Sequence, residues 1–300
     1  MFFYKCKKNG KRLSKQRYQC NFCGYRFENR RRKSSKSEQK FIDKYLNLNL
    51  NYSSIARLEK CSISTIQRRF DKISFNVANP PDPGNTVIIM DTTYFNKHSG
   101  VMVFRDYYSR RNIYWNYVTY ETIDLYKSGV KHIQNKGWKI LGIVCDGRRG
   151  LFSSFGNIPV QLCQFHQVAM VIRYITKNPK LQASKELKLI VLELKSSTEK
   201  EFTKLLNDWH GKWKYFLDEK SFNPEKNKLH YTHKRLRSAY RSLNTNLKNL
   251  FIYQKHPDLG IPNTTNSIEG MFSGIKKKLR NHAGLKEHRK FKILDYLLYK

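Results

Sequence analysis

The chain has no apolar run near the ~18 residues that a membrane-spanning helix requires, and its opening M-F-F-Y is too short for the apolar region of a signal peptide. Both absences argue against a helical membrane protein or a secreted one, and a cytoplasmic chain is expected. Acidic residues are scarce, 23 Asp+Glu against 58 Lys+Arg, which leaves a net charge of +35. That excess goes far beyond what solubility needs and calls for a polyanionic partner. Nucleic acid comes first, because each neutralised phosphate releases counterions. A membrane surface competes, yet no basic amphipathic helix stands apart from the folded pattern. Cysteine is also sparse, six in 300 residues, and four of them (Cys20, Cys23, Cys145, Cys163) sit beside strand or metal-type patterns. Reduced thiols fit better than a disulfide framework.

Against so few acids, two stand out. The run V-I-I-M at 87–90 suits a strand buried on both faces, and Asp91 ends it. The run I-L-G-I-V-C at 140–145 ends the same way, in Asp146. A carboxylate at the end of a core strand needs a hydrogen bond, a cation or a metal, because an unpaired buried charge is costly. Two of them suggest a hard-cation site. Each taken alone could equally cap the turn that follows.

The N-terminal part is basic, with 14 Lys/Arg and 2 Glu in residues 1–40. Residues 1–36 read as a zinc-ribbon-like segment: Cys20 and Cys23 form a C-x2-C knuckle followed by Gly24, whose conformational freedom relieves the tight turn. Cys6 is the only upstream thiol, so two readings stay open. A further group completes a zinc site with Cys6, Cys20 and Cys23, or the segment is a metal-free hairpin on which Tyr18, Phe22, Tyr25 and Phe27 pack together. Residues 30–36 (R-R-R-K-S-S-K) read as a solvated linker able to lie along phosphates. Residues 37–78 read as a helix-turn-helix domain. Phe41, Ile42, Tyr45 and Leu46 supply the first stripe, a second helix opens at 52–56, and a third runs over 65–70 with Ser64 as its N-cap. Thr65, Gln67, Arg68 and Arg69 on that third helix are side chains suited to base edges and phosphates in a major groove. The competing reading is a plain three-helix packing unit.

Residues 79–84 (N-P-P-D-P-G) cannot sustain a helix or a central strand and mark a boundary. Beyond them the fold class is α/β, over 85–300. Strands are expected at 86–95, 100–107 and 112–119, a helix at 123–135, and strands at 139–145 and 158–163. Three hairpin-like strands, a helix and further strands give the order of an RNase H-like mixed sheet. Helical signal then runs from 164 to about 250, broken near 178–179 and 222–224. It is too long for a connection and reads as an all-helical insertion at about 177–258.

The third carboxylate of interest is Glu269. Ile268, Phe272, Ile275 and Leu279 form a buried helical stripe, and Lys276 and Arg280 fall on Glu269's own face. Thr265 or Asn266 would cap this helix, and Asn266 with Glu269 also fits a capping box. Asp106 and Asp124 are rivals, the first expected in a surface ion pair and the second as a first-turn helix acid after Thr122. Cys163 and His166 could ligate a metal, but two ligands are not a site; a structural role near the active centre is the preferred reading.

Several strings together resemble the bacterial Mutator-like insertion-sequence transposases: K-Q-R-Y-Q-C-N-F-C-G-Y-R-F, M-D-T-T-Y-F at Asp91, V-C-D-G-R-R-G-L at Asp146, C-Q-F-H at Cys163–His166, T-T-N-S-I-E-G at Glu269 and N-H-A-G-L from Asn281. The resemblance covers nearly the whole chain. It implies a DDE triad of Asp91, Asp146 and Glu269 on an RNase H-like fold, holding two Mg²⁺ ions or Mn²⁺ in their place. It further implies nicking of double-stranded DNA at element ends, transfer of the freed 3′-OH strand to target DNA, a homo-oligomer with one protomer per end, and a nucleoid-associated protein. Lys276 and Arg280 would hold phosphates beside the centre. In that family an upstream Cys pair usually completes the ribbon; its absence here leaves Zn²⁺ an open expectation. The rival readings are a DNA-binding regulator whose α/β part dimerises, and an inactive, truncated transposase remnant.

Overall fold

The computed structural model describes residues 6–13, 15–28, 40–73, 82–148, 150–225 and 227–299. The expected linker at 30–36 and residues 79–81 of the proline-rich stretch lie outside them. The chain divides into two units, Met1–Ser74 and Phe75–Lys300.

In the first unit, β1 (Cys6–Arg12), β2 (Lys15–Cys20) and β3 (Arg26–Glu28) form an antiparallel sheet in which Cys6 stands opposite Cys20. The turn between β2 and β3 is closed by the Cys20 amide donating to Tyr25 O at 2.9 Å and the Gly24 amide donating to Cys20 O at 3.0 Å. Gly24 sits there at φ +69°, a backbone region that a side chain disfavours. Tyr18 and Tyr25 both stack on Phe27. Phe22 lies in the turn between β2 and β3 and is 81% exposed.

Three helical segments follow: α1, a π-wound turn (Asp43–Asn47), α2 (Tyr52–Leu58) and α3 (Ile63–Lys72). They close on Phe41, Tyr45, Leu46, Ile55, Ile66 and Phe70. The N-cap of α3 is Ser62, not Ser64. Ser62 has extended backbone angles and its Oγ accepts the Thr65 amide at 3.2 Å, which starts the helix two residues earlier and places Ser64 inside the first turn.

The second unit is mixed α/β. Its five-stranded sheet has the order β6-β5-β4-β7-β8, built from β4 (Asn85–Asn96), β5 (Ser99–Asp106), β6 (Asn112–Val118), β7 (Lys139–Cys145) and β8 (Val160–Leu162). β4 is antiparallel to β5 and parallel to β7, so it is central and buried on both faces. Ile88 and Met90 face α4 (Ile123–Asn135), against Tyr126, Val130 and Ile133. Val87 and Ile89 face α10 (Asn266–Asn281) and α11 (Glu287–Tyr299), against Ile268, Phe272 and Leu294. The alternating orientation of successive strand residues thus assigns odd-numbered β4 positions to the α10 face.

Between β8 and α10 the chain runs through α5 (Gln164–Ile175), α6 (Gln182–Leu192), α7 (Glu199–Asp218), α8 (Lys234–Leu250) and the short α9 (Ile252–Lys255). The helices of this insertion share a core of their own that includes Val171, Leu187, Leu206, Trp209 and Leu243. It is not helical throughout: β9 (Lys220–Asn223) and β10 (Lys228–Tyr231) form an antiparallel hairpin between α7 and α8. Pro224 and a positive φ at Asn227 reverse the chain there. Buried Gln161 and Gln164 tie the insertion to the sheet, each donating its Nε2 to Leu250 O at 2.9 and 3.0 Å.

Candidate active site

The parallel register of β4 and β7 sets Ile89 opposite Val144. Two residues further along each segment (89+2 and 144+2) are Asp91, midway along β4, and Asp146, just past the end of β7. Both share the parity of residues that face α10 (Ile89, Val144), the helix that carries Glu269. Burial pushes the Asp91 carboxyl up to about 7, and the negative charges of Asp146 and Glu269 add to it; His166 and the Thr92 amide oppose it. That amide donates to Asp91 Oδ1 at 2.8 Å. Asp146 Oδ1 is buried and accepts no hydrogen bond from the described residues. A cation bound there would satisfy that oxygen.

Glu269 lies in the first turn of α10 and does not cap it. Its Oε1 accepts the Thr265 hydroxyl at 2.9 Å, and Thr265, at the N-cap position, makes no side-chain capping bond. The Thr265 amide and hydroxyl instead approach Cys163 Sγ at 3.3 and 3.2 Å. His166 Nδ1 stands 3.7 Å from Glu269 Oε1. The donor atoms of Cys163, His166 and Glu269 all lie within 4.8 Å of one another, so the C-x2-H pair does gain a third neighbour, one supplied by a helix a hundred residues on. The hydrogen bond to Cys163 lifts the His166 imidazole to about 9; burial opposes this, and Asp91 and Glu269 reinforce it. Burial pushes the Cys163 thiol up, but hydrogen bonds from His166 and Thr265 outweigh it and leave the thiol below its ordinary value. A cationic imidazole thus sits among the acids.

On the other face of β4 a second network went unnoticed in the sequence. Tyr126 OH donates to Glu121 Oε1 at 2.5 Å and lies 2.9 Å from Thr92 Oγ1. Arg148, two residues after Asp146, pairs with Glu121 at 3.5 Å. Glu121 precedes an N-cap threonine and looks like any helix-start acid, so no local signal marks it. Thr265 was visible, but only as a helix cap.

The rival acids separate cleanly. Asp124 is an exposed first-turn acid of α4 behind the Thr122 cap, as expected. Asp106 is not in a surface ion pair. It is 4% exposed and accepts from Thr86 Oγ1 at 2.6 Å and from the Ser109 amide at 2.8 Å, because the β5–β6 turn folds over it.

Lys276 and Arg280 are exposed on α10 and line a cleft of about 410 Å³ with Tyr94, Phe95 and Lys290. In the first unit, Arg68 is exposed while Thr65 and Gln67 are half-buried. Arg69 is ion-paired with Glu59, which also binds Lys44 at 3.2 Å. Amides of Cys23 and Phe22 donate to the Cys20 sulfur and hold its thiol below the ordinary value.

No protein-family model and no curated protein matches the chain. Solved structures similar to it include the Drosophila P element transposase strand transfer complex, with TM-score 0.39 and 11% identity over 91% of this chain and 93% of that one. Another is the simian T-cell lymphotropic virus intasome in complex with PP2A regulatory subunit B56 gamma, with TM-score 0.23 and 11% identity over 68% of each chain. At such values the functional reading rests on the site itself. No described helix is long and apolar enough to cross a membrane.

Proposed function

We propose that the chain is a DDE transposase of the Mutator-like kind, with an RNase H-like catalytic core that cleaves and joins DNA strands at the ends of a mobile element. What supports this reading is that the charges of Asp146 and Glu269 both reach Asp91, and that Asp146 Oδ1 has no donor among the described residues. Three hard oxygen donors of this kind suit Mg²⁺, or Mn²⁺ in its place, held by Asp91, Asp146 and Glu269. When bound, two such ions supply activation of a water or 3′-OH and stabilisation of the leaving oxygen in an in-line displacement. The chain's own part is positioning. The Thr92 amide fixes Asp91, the Thr265 hydroxyl fixes Glu269, and the His166 imidazolium offsets charge between them. Lys276 and Arg280 hold the DNA backbone in the cleft two to three turns along α10.

Recognition of double-stranded element ends falls to the first unit, read as a ribbon plus helix-turn-helix. Arg68, Gln67 and Thr65 face the groove, Arg69 steadies the helix through Glu59, and Cys6, Cys20 and Cys23 with a further group would hold Zn²⁺. One protomer acts on each end, within a homo-oligomer.

Glu269→Gln tests the reading. It keeps the size and the Thr265 contact but removes the charge. Mg²⁺-dependent nicking of supercoiled DNA should fall by ~10³-fold or more, the loss of several kcal/mol of transition-state stabilisation, with melting temperature and DNA affinity unchanged. Wild-type nicking by this variant would remove Glu269 from the triad and favour a DNA-binding regulator.

A further inference from the structure

Helices α7 and α8 share one core and differ sharply on their outer faces. α7 carries four acids (Glu199, Glu201, Asp208, Asp218) and four lysines; α8 carries five Lys/Arg and no acid. Three of those cations, Lys234, Arg241 and Lys248, recur every seven residues, with Ser238 and Thr245 between them. The spacing i, i+4, i+7, i+11, i+14 places all five on one stripe, roughly 21 Å long at 1.5 Å per residue. The opposite side of α8 is buried through Leu236, Ala239, Leu243 and Leu250. Among the described ion pairs, the one that α8 makes is Arg237 with Asp218, off the stripe.

The stripe borders a cleft. A space of about 810 Å³ separates α8, at Arg241, Thr245 and Lys248, from the loop that follows Asp146, at Gly147 and Gly150. A second, of about 450 Å³, shares Tyr174 with the first and reaches Lys180 and Lys234 at the start of α8. No Asp or Glu is among the described residues lining either. The polar edge of α8 is held in place by α5: Gln167 Nε2 donates to Ser242 Oγ at 3.1 Å, and Asn246 Nδ2 donates to Gln167 Oε1 at 2.9 Å.

We propose that this face of α8 is a second DNA-binding surface, which grips the phosphate backbone of DNA running past the Asp146 end of the sheet; the choice of DNA rests on the strand-transfer reading. Evenly spaced cations with hydroxyl and amide donors between them match a repeating phosphate chain. The stripe's length corresponds to about six phosphates of one strand at 3.4 Å each. An apolar anchor, which a membrane or a protein partner would require, is missing from the stripe. The helical insertion thereby acts as a clamp rather than a spacer.

The test is the salt dependence of binding by the full chain to a duplex of about 30 base pairs of arbitrary sequence, with EDTA present, from about 50 to about 200 mM KCl. In the triple variant Lys234→Gln, Arg241→Gln, Lys248→Gln the slope of log K against log salt should fall in magnitude by about 2.7, three phosphates at ~0.9 each. A matched variant on α7, Lys200→Gln, Lys204→Gln, Lys214→Gln, removes the same charge from exposed positions and should leave the slope at the wild-type value. An α8 triple with the wild-type slope, or with the same change as the α7 triple, would overturn the proposal. The measurement needs neither metal nor cleavage. A wild-type chain that fails to cut DNA, alongside an α8 triple that loses the slope, therefore counts against the carboxylate chemistry and leaves the surface standing.

Discussion

Two aspartates lie beside the first half and the middle of β4, and they are treated in opposite ways. Near its start, Asp106 on β5 is almost fully buried, yet the Thr86 hydroxyl and the turn amides of Tyr108 and Ser109 all donate to it. At its middle, Asp91 receives one amide; beyond β7, Asp146 Oδ1 receives no hydrogen bond from the described residues, and the charge of Glu269 also reaches Asp91. The first arrangement is complete and holds a turn in place. The second leaves carboxylate oxygens short of protein donors, an arrangement that a bound cation would stabilise.

Asp146 and Asp106 should differ most in catalysis. Asp146→Asn should lower Mg²⁺-dependent strand cleavage by ~10³-fold or more, whereas Asp106→Asn, assayed below its melting temperature, should cut DNA at close to the wild-type rate. Equal loss in both would erase the distinction.

Divalent metal sharpens the same contrast in stability. Mg²⁺ at about a hundredfold over its dissociation constant should add ~2.7 kcal/mol to the wild type and far less to Asp146→Asn. Without metal, pH does the reverse. Folded Asp91 keeps its proton up to about pH 7, while the unfolded chain releases it near 4. The native state therefore binds more protons across that window, and stability falls as pH rises through it. Denaturant melts at several pH values should show this slope in the wild type and a flatter one in Asp91→Asn.

In stability, Asp106→Asn should cost about 1–3 kcal/mol, since it trades a charged acceptor for a neutral one and turns a donor toward the Ser109 amide or Thr86 hydroxyl. Thermal melts with and without Mg²⁺ should shift equally. The smallest effect is expected from Thr265→Val, which removes one hydrogen bond to Glu269 worth ~1 kcal/mol. Cleavage should drop about fivefold, with Thr265→Ser restoring it; no drop would mean Glu269 is positioned by packing alone.

Much of this was legible from local pattern. The apolar runs before Asp91 and Asp146 read as core strands because burial on both faces demands unbroken hydrophobicity, and α4 was readable to the residue from Thr122 and its 3.6-residue period. The stripe Ile268, Phe272, Ile275 likewise announced the buried face of α10. The starting point of α3 was missed by two residues because Ser62 and Ser64 are equally good caps on paper, and the backbone angles decide between them. The β9–β10 hairpin was hidden inside a helical background, since four-residue strands carry too little periodicity to stand out.

What the sequence by itself determined is where most strands and helices lie, the large excess of positive charge, and which acids follow apolar strand runs. Which acids are satisfied was decided only by tertiary structure. Asp106 found its partners through a turn that folds over it. Glu269 found Thr265, and Thr265 found Cys163 across about a hundred residues of intervening insertion. The α8 stripe became a wall of a cleft only because α5 brings it up to the Asp146 loop. Hydrogen bonds and burial between distant segments depend on packing, and local periodicity carries no record of it.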